Sequence, residues 1–518
     1  MARIQRVLVV GGGVAGWLVA CYLAKTLGGA HGRGIAVDLV ESPRIGIIGV
    51  GEATFPSIRG TLSAIGLDER HFLAGAGATY KQGIRYVDWV RPPDSPGAHH
   101  YFHPFSLPSQ RDGSPELLPY WLLGGAPDGM AFADAVTMQS TLAERGKAPK
   151  RLIDPDYRGP LNHAYHFDAV GFAAVLAEHG QTLGVRRHLG TVEQVTLDEH
   201  GAIAQVVTAE HGAMTADLYV DCTGQAATLI GATLHSPFHP CNDVLFADRA
   251  VTLQVPHASA DAAIAPYTLS TAQEAGWIWD IALQQRRGVG YVYSSRHSEA
   301  ARAEATLRRY VGSAGDALQA RHLQFQAGHR PEPWRANCVA IGLAGGFLEP
   351  LESTGIALIE LGAYLLTHLM PGDSADLGYT AAHFNRMMDA RYTRIIDFLK
   401  MHYCLSQRTD SAFWIDNRHP GSIPQTLKER LALWRHRPPH RLDFVTDLEM
   451  FLPASWQYVL YGMEFVTDLE PMRDAYPHMA QAQREFGMIQ RAAAQAMCDL
   501  PDHRALLDRL CASAASAA

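Results

Sequence analysis

Four apolar residues, Val7-Leu8-Val9-Val10, run straight into Gly11-Gly12-Gly13-Val14-Ala15-Gly16, and an apolar helical pattern follows at Trp17, Leu18, Ala20, Cys21, Leu23, Ala24 and Leu27. That order predicts strand, glycine turn and helix. In Gly11-x-Gly13-x-x-Gly16 each glycine has its own task. Gly11 permits the tight turn, Gly13 lets the backbone approach a pyrophosphate, and Gly16 lets the helix pack closely on the strand. The helix then points its positive end at the phosphates, so Gly11, Gly13, Val14, Ala15 and Gly16 are the expected cofactor contacts. A second apolar strand from Ile35 to Val40 completes a βαβ unit and ends at Glu41, 25 residues after Gly16 because Gly28–Gly34 lengthens the connection. Glu41 is placed to accept hydrogen bonds from an adenosine ribose. A solvated glutamate at a strand end is the alternative for that residue.

Two later segments select between dinucleotides. Asp217-Leu218-Tyr219-Val220-Asp221-Cys222-Thr223-Gly224 and Asn337-Cys338-Val339-Ala340-Ile341-Gly342 are both apolar strands that end in glycine, and a second complete glycine fingerprint after a strand is absent. FAD is therefore expected in preference to NAD, with Gly342 near it, and the chain has no nicotinamide domain with which to reduce its own flavin.

With 44 Lys and Arg against 52 Asp and Glu, the net charge of −8 excludes a polycationic nucleic-acid binder. The apolar stretch from Gly355 to Met370 contains Glu360 and His368 and falls short of the ~20 residues of a membrane span, so it reads as a buried helix. Seven cysteines are scattered without a CxxC pair, which indicates neither a disulfide framework nor a zinc site. The apolar run at the N-terminus is too short for a signal peptide, and the reducing cytoplasm is the expected location.

Past the βαβ unit, Gly46–Gly51 reads as a loop, Pro92–His100 as a passage between modules, and the stretch from Arg91 to Asp156 as irregular. A helix and then alternating segments between Asn162 and Gly224 fit a β-rich extension of the first module. After Thr354 the pattern is mainly helical, broken at Pro371, Pro420, Pro438-Pro439 and Pro453, and the tail from Ala512 to Ala518 is expected to fray. The expected organisation is α/β: a Rossmann-type FAD-binding module of the aromatic-hydroxylase kind over residues 1–355, with a substrate-site insertion near 91–156, and a mainly helical substrate-binding module over 356–518.

Several motifs, in order, carry a resemblance: Gly11 to Gly16, Gly49-Val50-Gly51-Glu52-Ala53-Thr54, Tyr80-Lys81-Gln82-Gly83, His103-Pro104-Phe105, Trp277-Ile278-Trp279-Asp280-Ile281 and Gly346-Phe347-Leu348-Glu349-Pro350-Leu351-Glu352-Ser353-Thr354-Gly355. Together with the tail from His402-Tyr403 to Phe413-Trp414, they resemble the flavin-dependent halogenases of the tryptophan-halogenase family. In that family reduced FAD and O2 oxidise a halide to hypohalous acid, which passes through a tunnel to the substrate. The resemblance implies that Lys81 holds, or is halogenated by, the hypohalous acid, and that Glu352 stabilises the cationic ring and helps remove its proton. It implies flavin contacts at Gly51, Glu52 and Ala53, and chloride or bromide at the N–H groups of Thr354 and Gly355. Trp277 and Trp279 become a wall between flavin and substrate. Ala282 stands where the family's WxWxIP motif ends in proline.

His103 and Phe105 match positions that sandwich an indole ring. The segment from Phe451 to Met463, with Trp456 and Tyr458, supplies further aromatic groups but no acidic residue within the aromatic cluster of the kind that recognises free tryptophan. The implied activity is FADH2- and O2-dependent halogenation of an electron-rich aromatic, with FADH2 diffusing from a separate flavin reductase and a homodimer left open. Residue by residue, plainer readings remain: a surface lysine for Lys81, a helix-dipole partner in the first turn for Glu352, core packing for Phe105 and the tryptophans. An aromatic hydroxylase and a non-catalytic flavin-binding regulatory protein are the rival functions.

Overall fold

The computed structural model describes residues 3–28, 34–47 and 52–515, the side chains of 513–515 excepted. Two compact units interleave along the chain: residues 1–78, 167–241 and 325–392 form one, and 79–166, 242–324 and 393–518 the other. The boundary expected at 355/356 falls inside the first unit, and the connection Pro92–His100 falls inside the second.

The first unit is built on a six-stranded sheet in the order Trp334–Arg335, Cys338–Ala340, Leu218–Asp221, Arg6–Val10, Ala36–Glu41, Arg186–Leu189. All neighbours are parallel except the first pair. The Arg6–Val10 strand is central, with Val7 opposite Val37 on one side and Leu218 on the other. A strand covered on both faces needs apolar residues without alternation, which is why Val7 to Val10 are all apolar and all buried. Because its neighbours are reached in opposite directions, the carboxyl end of this strand is the switch point where such sheets bind ligands, and the glycine turn sits there. The helix Val14–Leu27 packs against Ala169–Thr182 and Thr354–His368. Of the segments expected as a β-rich extension, Val192–Leu197, Ile203–Thr208 and Gly212–Met214 do form a small antiparallel sheet, whereas Leu218–Asp221 joins the main parallel one.

The second unit holds a seven-stranded sheet in the order Arg321–Gln324, Arg249–Pro256, Arg286–Tyr293, Gly276–Ala282, Thr268–Gln273, Gly83–Val87, His100–Pro104. Val251, Leu253, Ile278, Val289 and Tyr291 of this sheet bury their side chains with Ala303 and Leu307 of the helix Ala300–Val311. Thr79–Lys81 and Ala164–Phe167 run antiparallel as neighbours in a further, three-stranded sheet. The stretch expected to be irregular contains the strand His100–Pro104 and the short helices Leu117–Leu122, Phe132–Val136 and Gln139–Glu144. Each helix has only five or six residues, too few for a periodic signal. Pro453 opens the helix Pro453–Gly462 where it was expected to break one, since proline suits a first helical turn. The helix His503–Ala515 likewise takes in the start of the tail expected to fray; Ser516–Ala518 lie outside the described residues. Among the described residues no helix is long and apolar enough to cross a membrane, and no group of His, Cys, Asp and Glu is arranged to hold a metal ion.

Candidate active site

A Cβ placed on Gly11 would lie 2.2 Å from the Cys222 carbonyl oxygen, and one on Gly16 would lie 1.8 Å from that of Gly11. Both positions therefore require glycine. A Cβ on Gly13 would meet nothing within 4 Å, so open space adjoins the backbone where Gly13 caps the helix Val14–Leu27. Free N–H groups around open space are what a pyrophosphate needs. Ala15 closes the far side: a Cβ on Gly342, whose φ is +77°, would come within 2.9 Å of the Ala15 Cβ.

Glu41 is not a solvated strand-end residue. It accepts hydrogen bonds from Trp17 Nε1 at 3.2 Å and from Arg187 Nε at 2.5 Å, and a Cβ on Gly12 would lie 1.6 Å from its Oε2. Gly12 and Arg187 are thus part of this corner, and sequence reasoning missed both. The middle glycine of a triplet was the available signal for Gly12, while Arg187 lies 146 residues away and has none. With up to four acceptor positions on a carboxylate, Glu41 retains capacity for ribose hydroxyls. Glu52 and Ala53 form a two-residue strand and are partly buried; Gly51 lies outside the described residues.

The same unit carries Glu352, Thr354 and Gly355. Glu352 ends the short 3₁₀ turn Pro350–Glu352 and is fully buried. Ser353 follows with φ 59°, a left-handed conformation that costs a non-glycine residue ~1–3 kcal/mol, and makes no side-chain cap. The helix starts only at Thr354, so Glu352 precedes the cap and is not the first-turn dipole partner of the plainer reading. Thr354 and Gly355 are the first two helical residues, whose N–H groups a helix leaves without an internal acceptor. A Cβ on Gly355 would meet nothing within 4 Å, and the buried Thr354 Oγ1 has no hydrogen-bond partner among the described residues. Halfway along the helix, Glu360 accepts from Thr61 Oγ1 at 2.6 Å and Ser57 Oγ at 3.1 Å. Burial pushes its carboxyl up to about 8, so near neutrality it carries a proton and ties two helices together as a neutral group.

Lys81 lies in the second unit and is fully buried, which rules out the surface-lysine reading. Its Nζ stands 5.1 Å from the centre of the Phe105 ring. Phe105 is brought there because Gly83 pairs with Pro104 and the Phe105 N–H donates to the Gln82 carbonyl at 3.1 Å. In the antiparallel pair Thr79 opposes His166 and Lys81 opposes Ala164, so these four side chains share one face. Thr79 Oγ1 donates to the Ala282 carbonyl at 2.7 Å, and His166 Nε2 lies 2.9 Å from Thr268 Oγ1. Burial above all, and then the Lys81 ammonium, hold the His166 imidazole well below its usual value, so it is neutral.

Trp277 and Trp279 project from the Gly276–Ala282 strand, both buried, with ring centres 6.3 Å apart. Gly290 opposes Trp279 in the sheet, and a Cβ there would lie 2.1 Å from the indole; only glycine leaves room for that ring to cross the neighbouring strand. The Ala282 departure is accommodated, since this residue still closes the strand and accepts from Thr79.

His103 and Tyr458 have ring centres 6.1 Å apart, and the Tyr458 hydroxyl donates to the Ser106 carbonyl at 2.9 Å. Trp456 is enclosed by Phe398 at 4.9 Å, Trp434 and Phe444 at 5.6 Å, and the Arg430 guanidinium at 4.8 Å. An ion-paired acidic group beside this cluster was missed. Glu449, 2% exposed at its side chain, is ion-paired to Arg394 at 3.1 Å and Arg430 at 3.4 Å.

A parallel sheet with a glycine turn at its switch point and Glu41 at the end of the next strand define a dinucleotide-binding fold. The tryptophan halogenase family model matches residues 6–478. Tryptophan 6-halogenase SttH of Streptomyces toxytricini is 36% identical over 520 residues, 96% of each chain. A tryptophan halogenase structure from Shewanella frigidimarina NCIMB 400 superposes with a TM-score of 0.94 at 41% identity, covering 98% of both chains. Xcc4156, a flavin-dependent halogenase from Xanthomonas campestris, does so with a TM-score of 0.87 at 34% identity, covering 98% of this chain and 99% of its own. The chain belongs to the tryptophan halogenase family. Its activity is flavin-dependent halogenation of an electron-rich, indole-type aromatic, with FAD, O2 and a halide as co-reactants.

Proposed function

We propose that Lys81 and Glu352 divide the chemistry, and that the substrate is an indole without an amino-acid group. Reduced FAD with O2 supplies the oxidising equivalents that turn halide into hypohalous acid. Gly11, Gly13, Val14, Ala15, Gly16, Glu41, Glu52, Ala53 and Gly342 would hold the cofactor, with Gly51, and the N–H groups of Thr354 and Gly355 the halide. Trp277 and Trp279 keep the ring from the flavin. His103 and Phe105 flank the ring, backed by Trp456 and Tyr458.

The Lys81 amine receives hypohalous acid by hydrogen bond, or takes its halogen to become a protonated haloamine while the hydroxide leaves as water, and presents the halogen to the ring. The carbon–halogen bond forms as the oxygen–halogen or nitrogen–halogen bond breaks. The displaced hydroxide, or neutral amine, takes up a proton. The Glu352 carboxylate opposes the ring's positive charge and removes its proton, restoring aromaticity. The observation that carries this reading is the complete burial of both side chains: in a water-poor setting an amine and a carboxylate act more strongly on a reacting molecule than on a protein surface. FADH2 would arrive by diffusion from a separate reductase, in keeping with the lack of a second glycine fingerprint, and the enzyme would work in the cytoplasm.

Glu449, 2% exposed at its side chain, faces two guanidinium groups, whose combined positive charge opposes an α-ammonium there. Free indole should therefore be halogenated at least as fast as tryptophan when both are offered together with bromide and a flavin-reducing system. Mass spectrometry of the two products decides it; a strong preference for tryptophan overturns the substrate assignment.

A further inference from the structure

The strand Thr79–Lys81 is paired with Ala164–Phe167 along one edge only, and the N–H groups of its opposite edge need partners from elsewhere. Two are provided. The Gln82 N–H donates to the Pro266 carbonyl at 2.7 Å, and the Tyr80 N–H donates to His503 Nε2 at 3.0 Å. The imidazole is itself fixed, because Nδ1 lies 3.0 Å from the Ile264 carbonyl and so must carry the proton that leaves Nε2 an acceptor. His503 thus bridges Tyr80 and Ile264 as one residue of an adjacent strand would. Burial pushes it down to about 4, which keeps this neutral form across the working range. Its own N–H donates to the Gly146 carbonyl at 2.9 Å, and Arg504 Nε to that of Ala262 at 2.9 Å, seating the start of the last helix. Lys81 lies between the two pinned amides.

We propose that His503, 423 residues from Tyr80, is a positioning residue that fixes the backbone carrying Lys81 and thereby couples hypohalous acid to ring halogenation. The inference rests on the role given above to Lys81. A lysine displaced by even ~1 Å reacts poorly although the flavin chemistry proceeds.

The test compares His503→Ala with His503→Gln, whose amide keeps an acceptor for Tyr80 and a donor for Ile264, in full-length FAD-loaded enzyme given a flavin-reducing system, O2, indole and bromide. The readouts are brominated indole per FADH2 oxidised and deuterium uptake of the peptide holding Tyr80. Alanine should lower the product yield about tenfold with FADH2 oxidation and the KM for indole unchanged, and should speed exchange; glutamine should restore most of both. If the alanine variant does not fold, His503→Asn, whose shorter amide falls away from Tyr80, takes its place. Wild-type yield in the alanine or asparagine variant, or equal losses with glutamine, overturns the proposal. Lys81→Ala alongside separates the two readings: if it brominates at the wild-type rate, both fall, and if it is inactive while His503→Ala is wild type, only the positioning role falls.

Discussion

Lys81→Ala should abolish halogenation while FADH2 is still oxidised by O2. The glycine turn from Gly11 to Gly16, with Glu41 and Gly342, proposed to hold the cofactor, owes its shape to contacts with Cys222, Trp17, Arg187 and Ala15, which the substitution does not change. What it removes is the lysine amine on the buried face shared by Thr79, Ala164 and His166. Oxidising equivalents that no longer reach the ring should leave as peroxide or free hypohalous acid. Lys81→Met, which fills the space without an amine, should fail to the same degree; if methionine keeps activity and alanine does not, the lysine matters for packing. Product and peroxide are measured together in each purified variant after FAD binding is verified. Halogenation by Lys81→Ala at the wild-type rate contradicts the mechanism.

Glu352→Gln should slow ring substitution by about 10²–10⁴-fold, the range of general-base losses. Glutamine preserves shape and hydrogen-bonding length, so the turn Pro350–Glu352 and the left-handed Ser353 should persist and the fold should survive. The charge proposed to stabilise the ring cation disappears, and with it the acceptor proposed for the ring proton. The loss should appear in the rate of product formation with little change in the KM for indole. Unlike Lys81→Ala, this variant should still form the active halogen species, so a more electron-rich ring should recover part of the rate. A loss well below tenfold would make Glu352 a structural residue of the turn.

The cofactor end of the fold was legible because its signal is local. Strand, glycine turn and helix occupy residues 6–27 without a break, and each glycine has a steric reason that the neighbouring atoms bear out at Gly11 and Gly16. The helix after Thr354 was legible for the same reason, being long and apolar. Other features were set by distant partners. Whether Lys81 is exposed depends on Ala164 and Phe105, and its backbone on His503; no property of Tyr80-Lys81-Gln82 foretells either. Arg187 at Glu41 and the Arg394–Glu449–Arg430 cluster are likewise contacts across the chain. The interleaving of the two units was hidden too, since a linear reading places one boundary where the chain in fact passes between units repeatedly.

The most direct measurement is the mass spectrum of the product formed from indole by purified enzyme with FADH2, O2 and bromide, and by the same mixture without halide. Halogenation predicts an indole carrying one bromine, recognised by its isotope doublet, and no oxygenated indole beyond the enzyme-free control when bromide is left out. An indole that gains oxygen whether or not bromide is present would contradict the account and make the enzyme a hydroxylase.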